Sequence, residues 1–247
     1  MPNQLISIIT VILNAEKQIP KLINVLEHED QELFEWICVD GLSKDSSLDL
    51  INNSNVKNLK SISEEDSGIY DAMNKGAKLA AGKWLLFLNA DDLLFPGAVR
   101  SIHTRLSRLD ENFSIVSFGT LILNGHKFEC ISFSRPWMLF FKNSIPHPST
   151  LILKQVFNNY QYDASYKICG DYDLFFRMIK VKNENIKIFK DLTSIHFRGG
   201  ASSDSVRSSI EESSVMTENS SLANVIIFVK ISLRKLKSFR LLARTPS

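Results

Sequence analysis

The run Trp84-Leu85-Leu86-Phe87-Leu88 constrains this chain most, because five consecutive large apolar residues leave no polar face for solvent. A chain accommodates such a run as a parallel strand covered by helices on both sides. The residues before it predict a helix over Asp71 to Ala81: Ile69, Ala72, Met73, Gly76, Ala77 and Ala80 follow the 3.6-residue spacing, and Gly82 is placed to end it. Leu5 to Leu13 and Trp36 to Val39 read as further strands, so the first hundred residues form a βαβ pattern. That pattern predicts an α/β fold with a functional crevice at the carboxyl ends of parallel strands. A chain of 247 residues buries enough surface in one such layered domain to need no disulfide or structural metal.

From about Ser101 the pattern changes to a helix, then to antiparallel strands Ile115 to Leu123 and Phe128 to Phe133 around an Asn124-Gly125 hairpin turn. A second helix is expected from Asp171 to about Val181, with Tyr172, Phe175, Phe176 and Ile179 on one face. Ser202 to Ser221 holds nine serines and reads as an exposed connection or a weak helix. No repeat of solenoid period occurs.

A net charge of +2 argues against a dedicated nucleic-acid binder, and 44% hydrophobic with 23% charged residues excludes collagenous, disordered and wholly membrane-embedded classes. Cys38, Cys130 and Cys169 show no CxxC pairing and are expected to be reduced, as in a cytoplasmic protein. The first residues lack the basic region and cleavage site of a signal peptide, and Val225 to Val229 is too short to cross a bilayer.

The acidic residues fall where the crevice rule puts ligands. Asp40 follows the second strand, and Asn89, Asp91 and Asp92 follow the apolar run. An Asn-x-Asp-Asp turn suits a hard divalent cation that completes its shell with phosphates and water, although the same pair also reads as a turn cap. No GxGxxG or GxxxxGK[ST] loop is present, so a cation would carry much of any phosphate's charge. Asp171 and Asp173 open the second helix about 200° apart and cannot face one cleft together. Asp173 is expected to pair with Arg177 on the surface, which leaves Asp171 for chemistry or for capping. His147, held between Pro146 and Pro148, reads either as part of an acceptor site or as a solvated loop residue, and His196 as a candidate metal ligand or a second acceptor-site residue.

Taken in order, SIITVILNAE, FEWICVDGLSKDSS, SEEDSGIYDAMNKGAKLAAGKWLLFLNADD, PHPSTLI, ICGDYDLFFRM and FRGGASS resemble the family 2 glycosyltransferases of bacterial surface polysaccharide synthesis, in particular the colanic-acid type. The resemblance covers about residues 5 to 204 and is most specific from Gly68 to Asp92. It implies a GT-A fold, a Rossmann-like mixed sheet flanked by helices. A nucleotide-sugar half spans about residues 1–100, and an acceptor half spans 101–204. It implies inverting transfer of a hexosyl or N-acetylhexosaminyl group from a nucleotide-sugar, with a UDP-sugar as the expected donor, to a lipid-linked saccharide. Thr10, Asn14, Asp40, Asp71 and Asn74 would contact the nucleotide. Asp91, with Asn89 and Asp92, would hold Mg²⁺ or Mn²⁺ on the diphosphate, and Asp171 matches the family's catalytic base. The chain departs from the family pattern in three places: Ile12-Leu13-Asn14 stands for Thr-Tyr-Asn, Asn89 for the first Asp of the metal motif, and Gly170 for a frequent Glu.

Residues 205–247 carry seven Lys or Arg against three Glu, a charge of +4 that leaves −2 for residues 1–204. From Val225 onward basic and apolar residues interleave. This is the pattern of an amphipathic segment on an anionic membrane, or of a helix packed on the body with a solvated basic face. The membrane alternative places the protein peripherally on the inner face of the cell membrane. Two rivals remain: a non-catalytic nucleotide-sugar-binding or scaffold subunit, which Asn89, Ile12 and Leu13 favour, and a sugar nucleotidyltransferase, which normally has a glycine-rich loop that ISIITVILNAE lacks.

Overall fold

The N-terminal stretch Leu5 to Leu13 becomes strand β1 (Ile6–Ile12), flanked in parallel by β2 (Phe34–Asp40) and by β4 (Trp84–Phe87), with Ile6 level with both Phe34 and Trp84. The computed structural model describes residues 6–199 and 205–219. β2 and β4 are buried at every residue, which explains their lack of alternation. Within this stack the Trp36 indole donates to the Thr10 hydroxyl at 2.9 Å, so neither buried polar atom is left unpaired.

Nine strands among the described residues form one mixed sheet. Beyond β2 lies β3 (Leu59–Ser63), parallel to it; beyond β4 come β8 (Thr150–Leu153), β6 (Ile115–Asn124), β9 (Ile186–Arg198) and β5 (Leu93–Leu94). β8 runs antiparallel to both β4 and β6, whereas β6 and β9 are parallel. β7 (Lys127–Ser132) folds back on β6 around the expected turn, where Gly125 takes φ +60°. This is the α/β fold with a mixed sheet that the sequence predicts.

The sheet separates two apolar layers. On one side pack α1 (Ile19–His28), α2 (Ser47–Asn52) and α4 (Ala98–Leu106), burying Ile19, Leu22, Leu26, Ile51, Val99 and Ile102. On the other pack α3 (Ile69–Leu79), α5 (Lys154–Tyr160) and α6 (Gly170–Phe176), with Met73, Ala77, Phe157, Tyr172 and Phe175 buried. Gly76 lets α3 close onto β1, since a Cβ there would meet Ile9 at 2.5 Å. α6 runs on into a π-helical turn over Arg177–Val181, within the helix expected from Asp171 to Val181.

One expectation changes in detail, and another is decided between its two alternatives in favour of a helix. The Asp173–Arg177 pair forms, with Nε at 2.7 Å from the carboxylate, but Asp173 is buried, and the Arg177 guanidinium also donates to the carbonyls of Tyr160 and Gln161. It therefore ties α6 to the end of α5 rather than decorating the surface. The serine-rich stretch contains a helix, α7 (Ser205–Asn219), whose Val215 and Met216 join the core beside α6. Residues 220–247, with the basic segment from Val225, lie outside the described residues.

One buried carboxylate locks the parallel strands together. Glu35 accepts from the Ser7 hydroxyl (2.6 Å), from the Ala81 and Gly82 amides (2.5 and 2.9 Å) and from Lys60 Nζ (2.7 Å). Burial opposes its charge, but Lys60, Ser7 and the two amides together hold its pKa below the ordinary carboxylate value. Glu35→Ala leaves those donors unpaired and is expected to cost about 3 kcal/mol at neutral pH. Because the folded pKa is the lower one, the contribution is complete above the unfolded carboxylate pKa and is lost as pH falls through the folded value. Urea titrations of both proteins at pH 7 and pH 3 check this, with the difference shrinking in acid.

Candidate active site

A cleft of about 970 Å³ opens at the carboxyl ends of β1 and β4. Asn14, Asn89, Asp91, Asp92, His147, Asp171 and His196 all line it. Four other expected contacts are not on its surface. Thr10 points into the sheet and is fully buried against Trp36. Asp40 is 1% exposed, its carboxylate turned inward to the Ser43 amide and the Ser63 hydroxyl (2.6 Å). Asp71 caps its own turn by accepting from the Ser67 amide at 2.9 Å, which chiefly lowers its pKa. Asn74 grips the Tyr162 backbone in both directions, at 2.9 and 3.0 Å. The first two point inward because of strand alternation, and the other two are consumed by local structure.

Asn14 sits on the floor in the left-handed region (φ +52°), a conformation that Asn tolerates, with its side-chain oxygen accepting from the Lys44 amide at 2.9 Å. The next residue back, Leu13, is 62% exposed.

The acidic corner follows β4. Asp92 is buried and accepts from His196 Nδ1 at 2.7 Å; β9 delivers this histidine by pairing with β5, Leu93 lying level with Ile195. That bond, against burial, raises the His196 pKa. Burial, then the charge of Asp92, pushes the Asp91 carboxyl up. Asn89 Oδ1 is buried without a hydrogen-bond partner. Among the described residues no three His, Cys, Asp or Glu side chains converge to hold an ion alone. The donors present are hard oxygens, one of them orphaned beside a destabilised carboxylate. They fit a divalent cation that takes its remaining ligands from a diphosphate.

Across the cleft, Asp171 stands at the start of α6. One oxygen accepts from the Tyr172 amide and the other from Asn143 Nδ2, both at 2.8 Å, and the Tyr70 hydroxyl lies 3.5 Å from the first while donating to the Ile168 carbonyl at 2.6 Å. Burial and then the charge of Asp171 hold the Tyr70 hydroxyl well above the ordinary tyrosine range, so it stays a neutral donor. Gly170 allows this packing, since a Cβ would come within 2.7 Å of the Tyr70 ring. The loop before Asp171 is seated by α7: the Glu211 carboxylate accepts from the amides of Lys167, Ile168 and Cys169 at 2.8–3.2 Å. His147 lies in the wall, its Nε2 paired with the Tyr162 hydroxyl at 2.8 Å and its ring stacked at 5.8 Å from Phe87. Burial lowers its pKa, so it is a neutral ring of the wall rather than a solvated loop group.

Sequence reasoning missed Asn143, Tyr70 and Glu211. Tyr70 carries a trace, since it falls on the inner face of α3; Asn143 and Glu211 sit in stretches with no periodicity to mark them.

A mixed sheet with a carboxylate-bearing turn after its central strand and a carboxylate opposite defines the GT-A class of nucleotide-sugar folds. Residues 7–179 match the family described as Glycosyl transferase family 2, and the chain belongs to that family. Similar proteins include a PGL/p-HBAD biosynthesis glycosyltransferase of Mycobacterium bovis, 30% identical over 72% of this chain and 70% of its own, and an uncharacterized glycosyltransferase of Methanocaldococcus jannaschii, 26% identical over 72% of this chain and 66% of its own. Among solved structures, S. aureus TarS 1–349 in complex with UDP-GlcNAc has a TM-score of 0.70 at 21% identity over 90% of this chain and 66% of its own. The mannosyltransferase PcManGT from Pyrobaculum calidifontis, in complex with GDP-Man and Mn²⁺, has a TM-score of 0.65 at 13% identity over 90% of this chain and 67% of its own. The chain spans 36% of the longer TarS structure.

Proposed function

We propose that the protein is an inverting glycosyltransferase that moves a hexosyl or N-acetylhexosaminyl group from a nucleotide-sugar, a UDP-sugar first, to a hydroxyl of a lipid-linked saccharide in surface polysaccharide synthesis. The observation that carries this is the placement of the Asn89-Asp91 corner and of Asp171 around one cleft. The UDP-GlcNAc and GDP-Man complexes of the structural relatives support a nucleotide-sugar donor. Leu13 offers the base an apolar face where the family resemblance implies an aromatic one. The catalytic body would span residues 1–204, with α7 joined to it, and the basic segment beyond Val225 would hold it on the anionic inner face of the cell membrane.

Asp171 accepts the proton of the acceptor hydroxyl as that oxygen bonds to the anomeric carbon; the bond from that carbon to the nucleoside diphosphate breaks on the opposite face, and the configuration inverts. Asn143 and the Tyr172 amide fix both carboxylate oxygens, so the base is already aimed. Asn89 and Asp91, with Asp92 held by His196, would bind Mg²⁺ or Mn²⁺, which supplies Lewis-acid stabilisation of the departing diphosphate.

The test is a thermal-shift screen of UDP-, GDP- and dTDP-sugars with and without Mn²⁺, followed by a transfer assay with the stabilising donor. A UDP-sugar is expected to raise the midpoint only with the cation and to yield a glycosylated product. The uncharged Asn89 favours a second reading, a nucleotide-sugar-binding subunit without transfer activity. Stabilisation with no product under any metal would establish that reading instead.

A further inference from the structure

The loop from Arg135 to Ser144 places Asn143 against Asp171, and the remainder of it, which has no part in this chemistry, is also tightly built. Its ends are clamped by the Arg135 amide donating to the Ser144 carbonyl (3.0 Å) and the Ser144 hydroxyl donating to the Arg135 carbonyl (2.8 Å). Ser144 lines the cleft, so the clamp sits at the mouth. The middle of the loop is anchored from beneath: Leu139 is fully buried, its carbonyl accepts from the Tyr172 hydroxyl, and Phe140 packs edge-on to Phe176 with ring centres 5.7 Å apart.

Against that anchoring, Trp137 is 65% exposed and Phe141 49%. The other two tryptophans, Trp36 and Trp84, are buried. A fixed loop that turns its largest rings outward presents an apolar surface with nothing in the described body to cover it. The surroundings are cationic. Arg135 and Lys142 flank the rings, both exposed and neither paired with a carboxylate among the described residues. Lys180 Nζ lies 4.6 Å from the centre of the Phe140 ring. No Asp or Glu occurs between Glu129 and Asp163.

We propose that this loop is a membrane-docking element that seats Trp137 and Phe141 at the headgroup level of an anionic bilayer and so brings the cleft mouth to the lipid surface. The Trp137 indole, apolar with one N–H, favours that depth, Phe141 adds apolar area beside it, and the flanking cations complement anionic headgroups, a pairing that a neutral surface would not reward. The inference rests on the lipid-linked acceptor proposed above and is independent of the segment beyond Val225. It orients the body, because the loop and the cleft wall share the Arg135–Ser144 clamp.

The full chain is mixed with phosphatidylglycerol/phosphatidylcholine vesicles whose acyl chains are brominated, and tryptophan emission is followed. Quenching that requires phosphatidylglycerol and disappears in Trp137→Phe is expected, because Trp137 is the exposed tryptophan. The double variant Trp137→Ser/Phe141→Ser is expected to partition to these vesicles roughly tenfold more weakly. Its transfer to a soluble acceptor analogue is expected to stay native, which also shows that it is folded. Vesicle binding without quenching of Trp137, or a lipid-independent dimer that shields Trp137, would overturn the proposal. Quenching in a protein that transfers no sugar would leave the docking intact and remove the transferase reading alone.

Discussion

Asp171→Asn is expected to slow sugar transfer by about 10²–10⁴-fold, the range a positioned general base supplies. The donor's affinity and the unfolding midpoint should stay near native. The substitution is nearly isosteric, and the amide oxygen can still accept from the Tyr172 amide. The other contact is kept when the Asn143 amide turns over so that its oxygen accepts from the new amide, which gives up only the 3.3 Å bond from the Ile145 amide, so little packing is lost. What disappears is a group able to take a proton. The loss should therefore fall on kcat with KM for the donor unchanged, as for an interaction made only in the transition state. Single-turnover kinetics and isothermal titration with the donor measure the two separately. Native kcat in the folded variant would remove Asp171 from the role of base.

The second large effect is expected at Asp91. Asp91→Ala should abolish the cation's enhancement of donor binding and reduce transfer by roughly 10²-fold or more, the several kcal/mol a Lewis-acid cation contributes. The protein without ligands should not suffer, because the change removes one of two neighbouring carboxylates in a partly desolvated corner. Asp92→Ala should differ in kind. It leaves His196 without its 2.7 Å partner and disturbs the contact between the turn after β4 and β9, so a fall in the unfolding midpoint is expected as well. Calorimetry of the three proteins, with and without Mn²⁺ and donor, distinguishes a lost ligand from a lost scaffold contact.

The contrast between those two aspartates shows what could be read from the chain and what could not. β1, β2, β4 and α3 were legible because each carries its own period, and Gly125 marks the hairpin by the conformation it permits. β9 was not. Its charged and apolar side chains break alternation at Ile188-Phe189 and Lys190-Asp191, it has no buried apolar run, and its pairing with β6 joins segments some seventy residues apart. The bond between His196 and Asp92, 104 residues apart, was invisible for the same reason, although both residues were singled out. Family resemblance carried Thr10, Asp40, Asp71 and Asn74 toward the nucleotide. Their side chains hydrogen-bond Trp36, Ser43 with Ser63, Ser67 and the Tyr162 backbone, partners that a resemblance of motifs does not reveal. Composition left α7 open between a connection and a weak helix, because its serines speak for a linker and only Val215 and Met216 are buried hydrophobics among its described side chains.

The carboxylate of Glu211 reaches back 42 residues to the amide of Cys169, and its helix lies beyond residues 7–179 that mark the family. A ribosome making this chain therefore releases the cleft floor, the acidic corner and Asp171 itself well before the group that seats the loop holding Asp171. At that point of synthesis the chain carries Asp171 but not yet the carboxylate that seats the loop before it. A chain stopped after Asp204 would carry every residue of the family match and still lack Glu211.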